Sequence, residues 1–420
     1  MSVYVDVHTV TPLGPNNLNR DGENAPKTIT YGGCVRHRLS SQSQKYAVRG
    51  DFIDTYGDAM ISLRSRSLVS LVSLRIQEAD PSLSVEEAHH LAARALTVPM
   101  SAKPKDGQDR LKKLNDSITS AAGKAADELK KNPNATIDPF IPELSATFQI
   151  SDVQARKFAS EVVAAVASGV DFSLPSAHED KNLTAKLTET LRECNTADVL
   201  LFGRMMAANT DLSVDAVCQV AHAVGVSEYA GDMDLFIAAD EVSTRNTELA
   251  DAIRNHRGKD FGGADMLDTK GIAAGSLYRY ANVNVTALAE SAGSTSDAAD
   301  ITAKFVASFA TTLPGGAQNS HAARSPFSTL IVTVRSTSPM SLVGAFESPV
   351  RNADEATEAL AHYAKATSDM YGDPVGDKVF VLTVHNRDGV VELLGADKDV
   401  SSLPALTEAL SDALNTALVS

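Results

Sequence analysis

Positively charged side chains outnumber negatively charged ones, six to two, in residues 18–49 of this sequence. Over the whole chain acidic residues outnumber basic ones, 53 to 38, and the formal net charge is −15. The stretch reverses that balance, because only Asp21 and Glu23 are acidic in it. Clustered cationic groups on an otherwise acidic body are what a groove for a polyanion requires. The basic residues of the stretch are Arg20, Lys27, Arg36, Arg38, Lys45 and Arg49.

The end of this stretch predicts a helix that begins at about Gln42, after Ser40 and Ser41. A helix N-terminus presents unpaired backbone N–H groups and a positive dipole end, so it accepts phosphate readily. Gln42, Lys45 and Arg49 are spaced i, i+3 and i+7, which places them on one helix face. In a simpler interpretation, Ser40 only caps the helix and the two cations are solvated surface charges. The residues alone leave both interpretations open.

A second polar loop, residues 313–321, precedes a predicted strand. Its glycines allow close backbone approach, and Gln318 and Asn319 can form hydrogen bonds to phosphate, ribose or base edges. Taken alone, the loop is more simply explained as an ordinary turn. The apolar pairs Met205-Met206 and Leu235-Phe236 are, by the same standard, typical of core positions.

Sequence signatures of catalysis and metal binding are absent. The chain has no G-x-x-x-x-G-K-[ST], G-x-G-x-x-G, H-E-x-x-H or G-x-S-x-G motif. Cys34, Cys194 and Cys218 are far apart, which predicts neither a disulfide framework nor a zinc site and is typical of a reducing cytosol. The sequence therefore predicts no catalytic residue, no metal and no cofactor. Aromatic residues make up only 5% of the chain, which argues against binding mainly by base stacking.

Five short segments are predicted strands because they alternate in polarity or are rich in β-branched residues. They lie far apart in sequence, so one sheet would be assembled from both ends of the chain. With the helices between them they predict an α+β fold with a β-α-β-type, ferredoxin-like core. The predicted strands are residues 3–10, 199–202, 277–285, 329–334 and 379–384.

Two insertions separate these strands. Residues 58–195 are predicted to be mostly helical, with capping-box sequences that start at Ser84 and Ser151. Residues 207–276 are predicted to open with a helix at 213–224 and to continue as an extended, partly flexible arm.

Two further helices are predicted, at residues 297–313 and 353–370. The N-terminus alternates like a strand and lacks the pattern of a signal peptide. No apolar run approaches the roughly 18 residues needed to span a membrane. A cytoplasmic protein is therefore expected.

Specific landmarks follow one another along nearly the full chain. They are Asn19-Arg20-Asp21, Tyr31-Gly32-Gly33, Arg36-x-Arg38-Leu39-Ser40-Ser41-Gln42-Ser43-x-Lys45, Leu201-Phe202-Gly203-Arg204-Met205, Val217-Cys218-Gln219-Val220-Ala221-His222-Ala223, Tyr278-Arg279-Tyr280-Ala281-Asn282-Val283, Gln318-Asn319-Ser320 and Pro339-Met340-Ser341-Leu342-x-x-Ala345-Phe346-Glu347. In this order they resemble the CasC family, the backbone subunit of the type I-E CRISPR Cascade complex.

The resemblance implies a hand-like fold. A modified RRM-like, or ferredoxin-like, palm would carry a helical fingers insertion and an extended thumb insertion. The palm would comprise residues 1–57, 196–206 and 277–420, the fingers residues 58–195, and the thumb residues 207–276.

The resemblance also implies a non-catalytic RNA-binding protein of the RAMP type. Several copies would assemble head to tail along one CRISPR RNA and present this guide for pairing with target DNA in antiviral defence. Each thumb would fold over the RNA and displace a nucleotide at regular intervals. Other expected partners are the large, small, guide-end-capping and guide-processing subunits of Cascade.

Individual residues carry over from the family motifs. Met205 resembles the residue that presses against the RNA where it kinks, and Leu235 and Phe236 resemble thumb wedges. Two departures, Tyr46 after the lysine and Ala317 in the second loop, stand where relatives have basic residues and weaken the local charge. The implied RNA-contacting residues are Asn19, Arg20, Lys27, Arg38, Ser40, Gln42, Lys45, Arg49, Gln318 and Asn319.

Two other functions are weighed against this one. Related backbone subunits of type III complexes cut target RNA with a loop aspartate, and Asp21 would be the candidate here. One carboxylate without neighbouring ligands makes a poor magnesium site, which argues against such a metal-dependent ribonuclease. A structural filament without RNA is the third option, and it predicts assemblies that contain no nucleic acid.

Overall fold

The structure is a computed structural model that describes residues 2–133, 135–138, 140–144, 147–206, 209–257, 264–372 and 376–419. The chain divides into two compact units. The sheet unit comprises Met1–Val48, Val220–Thr286 and Thr302–Ser420. The helical unit comprises Arg49–Gln219 and Ala287–Ile301.

The strands lie mainly in the sheet unit, where one antiparallel sheet has the order β11-β10-β1-β9-β7-β3-β2, with β6 and β8 also paired to β9. β4 and β5 form a small separate pair in the helical unit. The strands are β1 (Tyr4–Asn16), β2 (Thr28–Tyr31), β3 (Cys34–Leu39), β4 (Leu63–Ser65), β5 (Phe148–Ile150), β6 (Cys218–Val220), β7 (Ala223–Gly225), β8 (Asp232–Ala239), β9 (Ala264–Asn284), β10 (Thr329–Arg335) and β11 (Lys378–Thr383).

The helices vary from single turns to long rods. Within the described part of the chain, no helix is long and apolar enough to cross a membrane. The helices are α1 (Ser41–Tyr56), α2 (Leu68–Ala79), α3 (Val85–Thr97), α4 (Pro104–Lys131), α5 (Asp152–Ala167), α6 (Lys181–Arg192), α7 (Ala197–Phe202), α8 (Glu241–Thr244), α9 (Glu248–Arg257), α10 (Val285–Ala292), α11 (Thr295–Thr311), α12 (Gln318–His321), α13 (Ala353–Tyr371), α14 (Arg387–Leu394) and α15 (Leu403–Val419).

The centre of the sheet is buried on both faces. On one face, Tyr278 and Tyr280 of β9 pack in a core to which α13 and α14 contribute. On the other face, Arg279 of β9 is fully buried and its guanidinium carbon lies 4.3 Å from the ring centroid of Phe309 in α11. Successive strand residues point to opposite faces, so this burial leaves the centre of the sheet closed to a ligand on either side.

The helical unit is built around its own core, which α2, α3, α5 and α6 share. Both predicted capping boxes are confirmed. Ser84 accepts the N–H of Glu87 and Ser151 accepts the N–H of Gln154, while the Glu87 and Gln154 side chains accept the cap N–H groups in return. These reciprocal bonds satisfy backbone donors that the first helical turn would otherwise leave unpaired.

Four of the five predicted strands are confirmed, as parts of β1, β9, β10 and β11. Residues 199–202 are wrongly predicted, because they lie in helix α7. A run of four buried apolar residues fits a helical turn as well as a strand, and the helix ends at Gly203, whose φ of 77° favours glycine. Residues 196–206 accordingly belong to the helical unit and not to the sheet.

The predicted helix at 213–224 is also wrong. These residues form β6 and β7, and β7 pairs with both β3 and β9. The valines at positions 214, 217, 220 and 224 are β-branched and fit a strand. Pairing of this segment with β3 and β9 outweighs its helical spacing of apolar residues.

The arm that follows is an antiparallel ribbon of β8 and β9, with α8 and α9 between its strands. Part of the predicted arm, residues 207–208 and 258–263, lies outside the described residues, as do Pro139 and three neighbouring positions of the 58–195 insertion. The predicted helices at 297–313 and 353–370 are confirmed as α11 and α13.

Candidate nucleic-acid interface

A tight hairpin turn joins β2 and β3. Gly32 and Gly33 both have positive φ, 60° and 80°, between the paired residues Tyr31 and Cys34. Two successive positive φ values are typical of a two-residue hairpin turn that favours glycine. At Gly32 a Cβ atom would lie 1.7 Å from the carbonyl oxygen of Glu347, so this position tolerates only glycine.

Asn19 ties the loop after β1 to the start of α1. Its side-chain oxygen accepts the backbone N–H of Ser40 at 2.9 Å. Its carbonyl oxygen accepts the N–H of Lys27 at 2.9 Å, and the Lys27 carbonyl accepts the N–H of Arg38 at 2.9 Å. Four of the predicted RNA-contacting residues are thereby held together by backbone hydrogen bonds and by the Asn19 side chain.

The start of α1 agrees with the predicted capped helix. Ser40 accepts the N–H of Ser43 at 3.3 Å, as a cap residue does. Gln42 is exposed and Lys45 is half-buried. Gln44, which the sequence interpretation passed over, fixes the rotation of the helix, because its buried amide donates to the Ala221 carbonyl and accepts from Arg279.

The two arginines of β3 have different environments. Arg36 is fully buried, and its guanidinium donates to the carbonyl oxygens of Gly225, Val226 and Phe346 at 3.0, 2.7 and 3.1 Å. Arg38 is only half-buried. The alternation of a strand separates them, so the basic stretch contributes one structural and one surface guanidinium here.

The positive charges of Arg38 and Lys27 lie close enough to His222 to affect its pKa. Nη1 of Arg38 lies 2.9 Å from Nδ1 of His222, which accepts this hydrogen bond in its neutral form. The pKa of His222 is lowered, first by burial and then by the charges of Arg38 and Lys27. Nearby positive charge of this kind also attracts phosphate.

The second predicted loop lies beside the first. A Cβ atom at Gly316 would come within 2.3 Å of the carbonyl oxygen of Leu18, directly before Asn19. Such a close backbone contact requires glycine. Gln318 donates to the Ala323 carbonyl at 3.3 Å, and Asn319 is exposed on the short helix α12. The structure thus brings the 316–319 loop to the same surface as Asn19.

We call this the cationic surface of the sheet unit. Apart from the buried Ser40, its polar groups are exposed or half-buried, and they lie above a small core of Leu13, Leu18, Leu39 and neighbours. Arg20 is exposed in the same loop, and its backbone forms an isolated antiparallel β-bridge with Pro26. The members of the surface are Asn19, Arg20, Lys27, Arg38, Ser40, Gln42, Lys45, Gln318 and Asn319.

Arg49 belongs to the helical unit and has a partner there. Its Nε atom lies 2.9 Å from the carboxylate of the fully buried Asp198, and its Nη2 donates to the Ser62 carbonyl at 2.8 Å. This ion pair gives Arg49 a structural role. Its predicted contact with RNA stays a prediction.

Met205 is among the most exposed apolar residues of the described chain, at 88%. Its neighbour Met206 is buried, so the pair does not behave as a core unit. Met205 borders a groove of about 1000 Å³ in the helical unit, which Arg64, Arg110 and Phe148 also line.

Leu235 and Phe236 lie on the ribbon and are 59% and 39% exposed. They are consecutive in β8 and therefore point to opposite faces. Leu235 is paired with Thr269 on a face without charged residues, while Phe236 is paired with Asp268. The two side chains cannot occupy one wedge position together.

Asp21 has a local structural role. Its carboxylate accepts the backbone N–H groups of Glu23 and Ala25 at 2.9 and 3.0 Å and so closes its own loop. Over the ranges that the structure covers, no group of three or more His, Cys, Asp or Glu residues could hold a metal ion.

Known proteins of similar sequence and fold include one family and chains of two solved complexes. The family model described as CT1975-like protein matches residues 5–409. A chain of a solved "CRISPR RNA-guided surveillance complex, pre-nicking" is 26% identical, with a TM-score of 0.72, and the match covers 98% of this chain and 100% of that one. A chain of a second "CRISPR RNA-guided surveillance complex" is 25% identical, with a TM-score of 0.66 and coverage of 98% and 99%. No curated protein sequence matches.

Proposed function

The chain belongs to the CT1975-like protein family, and we propose that it is a backbone subunit of a CRISPR surveillance complex that binds the guide RNA on its cationic surface. In finer detail, we propose a CasC-type subunit of a type I-E Cascade, with an RRM-like palm in the sheet unit. Similarity over nearly the full length of two surveillance-complex chains supports this assignment.

One observation carries the proposal. Nine polar residues that come from two distant parts of the sequence lie on one surface of the sheet unit, with Gly316 packed against Leu18 between them. Four of them are fixed by hydrogen bonds: backbone bonds join Asn19, Lys27 and Arg38, and the Asn19 side chain accepts the backbone N–H of Ser40.

The chemistry of this surface suits binding without reading of bases. Guanidinium, ammonium and amide groups and a helix N-terminus recognise phosphate and ribose. The sheet tyrosines that could stack on bases, Tyr278 and Tyr280, are buried, and their hydroxyls form hydrogen bonds with Leu342 and Asp6. A guide that varies in sequence has to be held in this manner, with its base edges left available for pairing.

Assembly and partners form the second part of the proposal. Copies of the chain would line up head to tail along one guide RNA, and the ribbon would act as the thumb. Modest sites repeated along one strand gain affinity through effective concentration. The target DNA strand and the other Cascade subunits would complete the complex, in which this chain has no catalytic role.

Reversal of charge on the cationic surface tests the proposal. The triple variant Arg20→Glu/Lys27→Glu/Lys45→Glu, co-expressed with a CRISPR array, is expected to lose most of the RNA that copurifies with the wild type. A matched control, Lys124→Glu/Lys181→Glu/Lys398→Glu, changes the charge equally at exposed positions elsewhere. Both variants are checked for folding by circular dichroism. Equal RNA retention in the two variants would contradict the proposal.

The same preparation separates the alternatives. Sequencing of the copurified RNA is expected to return the guide, whereas a filament without RNA would show no nucleic-acid absorbance. Incubation with target RNA and magnesium is expected to leave the RNA intact. Cleavage that disappears in Asp21→Asn would instead establish a ribonuclease.

A further inference from the structure

A groove of about 1020 Å³ lies at one end of the sheet, within the sheet unit. Its floor includes the buried side chains of Val3, Val334 and Phe380. One wall is helix α15, which presents Ala409 and Ala413, one turn apart, to the groove. Small side chains on this wall leave room for another chain to approach the helix closely.

Carboxylates dominate the charged lining of this groove. Asp377 and Asp412 are exposed and Asp397 is half-buried, while Lys378 is the cation in the lining. Three carboxylates against one ammonium give an electronegative groove with an apolar floor. Such a site repels phosphate, so it does not fit nucleic acid, and it attracts a cationic partner.

The groove is distant from the cationic surface. Val3 precedes the first residue of β1, and Asn19 follows its last residue, Asn16. A strand of 13 residues at about 3.3 Å per residue separates the two ends by roughly 40 Å. Occupation of the groove is therefore compatible with RNA on the other end of the sheet unit.

From these observations we propose that the groove docks a basic, partly apolar segment of a different protein subunit. A second copy of this chain is a poor match for this acidic groove, because its acidic residues outnumber its basic ones, 53 to 38, and the proposed head-to-tail contacts would use other surfaces. Apolar side chains of the partner segment cover the Val334 and Phe380 floor, and its lysine or arginine side chains pair with Asp377 and Asp412. The proposal rests on the proposed membership of a surveillance complex but not on the RNA contacts.

Site-specific photo-crosslinking in the complete, co-expressed complex tests this. The photoreactive amino acid p-benzoylphenylalanine replaces Thr416, and in a second preparation Ser336, both of which are exposed and line the groove. Irradiation is expected to link this chain to another subunit through a peptide rich in Lys or Arg. Mass spectrometry identifies the linked peptide.

A charge-neutralised variant of the groove tests whether its carboxylates bind the partner. Asp377→Asn/Asp412→Asn is expected to lower the crosslink yield on the order of fivefold, which corresponds to about 1 kcal/mol in total for the two exposed pairs. The control Asp116→Asn/Asp388→Asn removes the same charge at exposed positions outside the groove and is expected to leave the yield unchanged.

RNA that copurifies is measured in every preparation. Unchanged RNA together with a lost crosslink in the groove variant is the expected pattern. A crosslink only to RNA, only to a second copy of this chain, or to no molecule from either position overturns the docking proposal. Absence of guide RNA from the wild-type complex would instead count against the proposed function, so the two failures are distinguishable.

Discussion

The cationic surface and the β8–β9 ribbon expose side chains of opposite character, charged on the first and apolar on the second. On the cationic surface, exposed charges are fixed by buried polar groups such as Arg36 and Gln44. On the ribbon, apolar side chains including Leu235 are exposed, and strand pairing alone sets their direction. Electrostatic binding of a phosphate chain needs fixed donors, whereas contact with bases needs apolar area. Under the proposed function, the cationic surface would hold the RNA backbone and the ribbon would set its spacing, in separate parts of the sheet unit.

The largest expected effect concerns the anchor beneath the cationic surface. Arg36→Met removes a buried guanidinium and leaves three backbone carbonyls without their donor, so it is expected to cost about 3–5 kcal/mol of unfolding free energy. Leu235→Ser on the ribbon is expected to change stability by less than about 0.5 kcal/mol. Urea denaturation measures both. Equal losses of stability in the two variants would mean that Leu235 packs in a core and is not exposed on the ribbon.

Paired glycine variants test the hairpin of the cationic surface. Gly32→Ala is expected to cost about 2–3 kcal/mol, because a positive φ is combined with a clash against the Glu347 carbonyl. Gly33→Ala has the positive φ but no atom within 4 Å of the added Cβ, so about 1 kcal/mol is expected. Thermal unfolding of the two variants gives the comparison. A reversed order would show that the hairpin moves away from Glu347 readily.

Salt dependence should separate the two regions by mechanism. If each subunit neutralises about four phosphates, the slope of log affinity against log salt is about −3 per subunit, or roughly fiftyfold between 50 and 200 mM salt. Arg20→Gln/Lys45→Gln should flatten the slope by about 1.4, and Leu235→Ser should leave it unchanged. Filter binding of guide RNA over a salt series supplies the slopes. A ribbon variant that flattened the slope would remove the distinction between the regions.

The two faces of the ribbon provide a smaller effect. Leu235→Asp places a charge on the uncharged face and is expected to weaken target pairing on the order of tenfold, since burying or approaching bases with a carboxylate costs more than 1 kcal/mol. Phe236→Asp adds a carboxylate where Asp234 and Asp268 already lie, so a smaller loss is expected. Native gel shifts with target DNA compare them. Equal losses would indicate that both faces meet the nucleic acid.

The smallest expected effect is the pH dependence of RNA affinity. Burial and the charges of Arg38 and Lys27 lower the pKa of His222, so it is neutral near pH 7 in the unbound chain. A bound phosphate would raise that pKa again, and binding would take up a proton. Affinity is therefore expected to rise as pH falls from 7.5 to 5.5, by up to about tenfold per unit of pKa difference. His222→Asn should abolish this increment, and an unaltered pH profile would place the RNA away from Arg38.

The same linkage acts on folding with the opposite sign. His222 has a folded-state pKa below that of the unfolded chain, so the stability that its neutral form supports is present near pH 7. That stability is lost progressively as pH falls from the unfolded-state pKa of about 6.5 through the lower folded-state pKa. Affinity and stability should thus change in opposite directions on acidification.

Local sequence determined much of the fold. The capping boxes at Ser84 and Ser151, the alternation of residues 3–10 and the helix after Ser40 depend on hydrogen bonds and side-chain directions set within a few residues. The proposed membership of an RNA-guided complex also came from motifs that are visible in the sequence, and the similarity to chains of two solved RNA-guided surveillance complexes supports it.

Tertiary structure decided what short-range pattern left undetermined. Residues 199–202 form a helix and residues 218–225 form strands, because burial and pairing with β9 outweigh the weak preferences of short apolar runs. Folding alone separated Arg36 from Arg38, and it brought Gly316 against Leu18, almost 300 positions away in the sequence. Charge count belongs to the sequence, but the side on which each charge meets solvent depends on long-range packing, since a guanidinium is buried only where distant carbonyls converge on it.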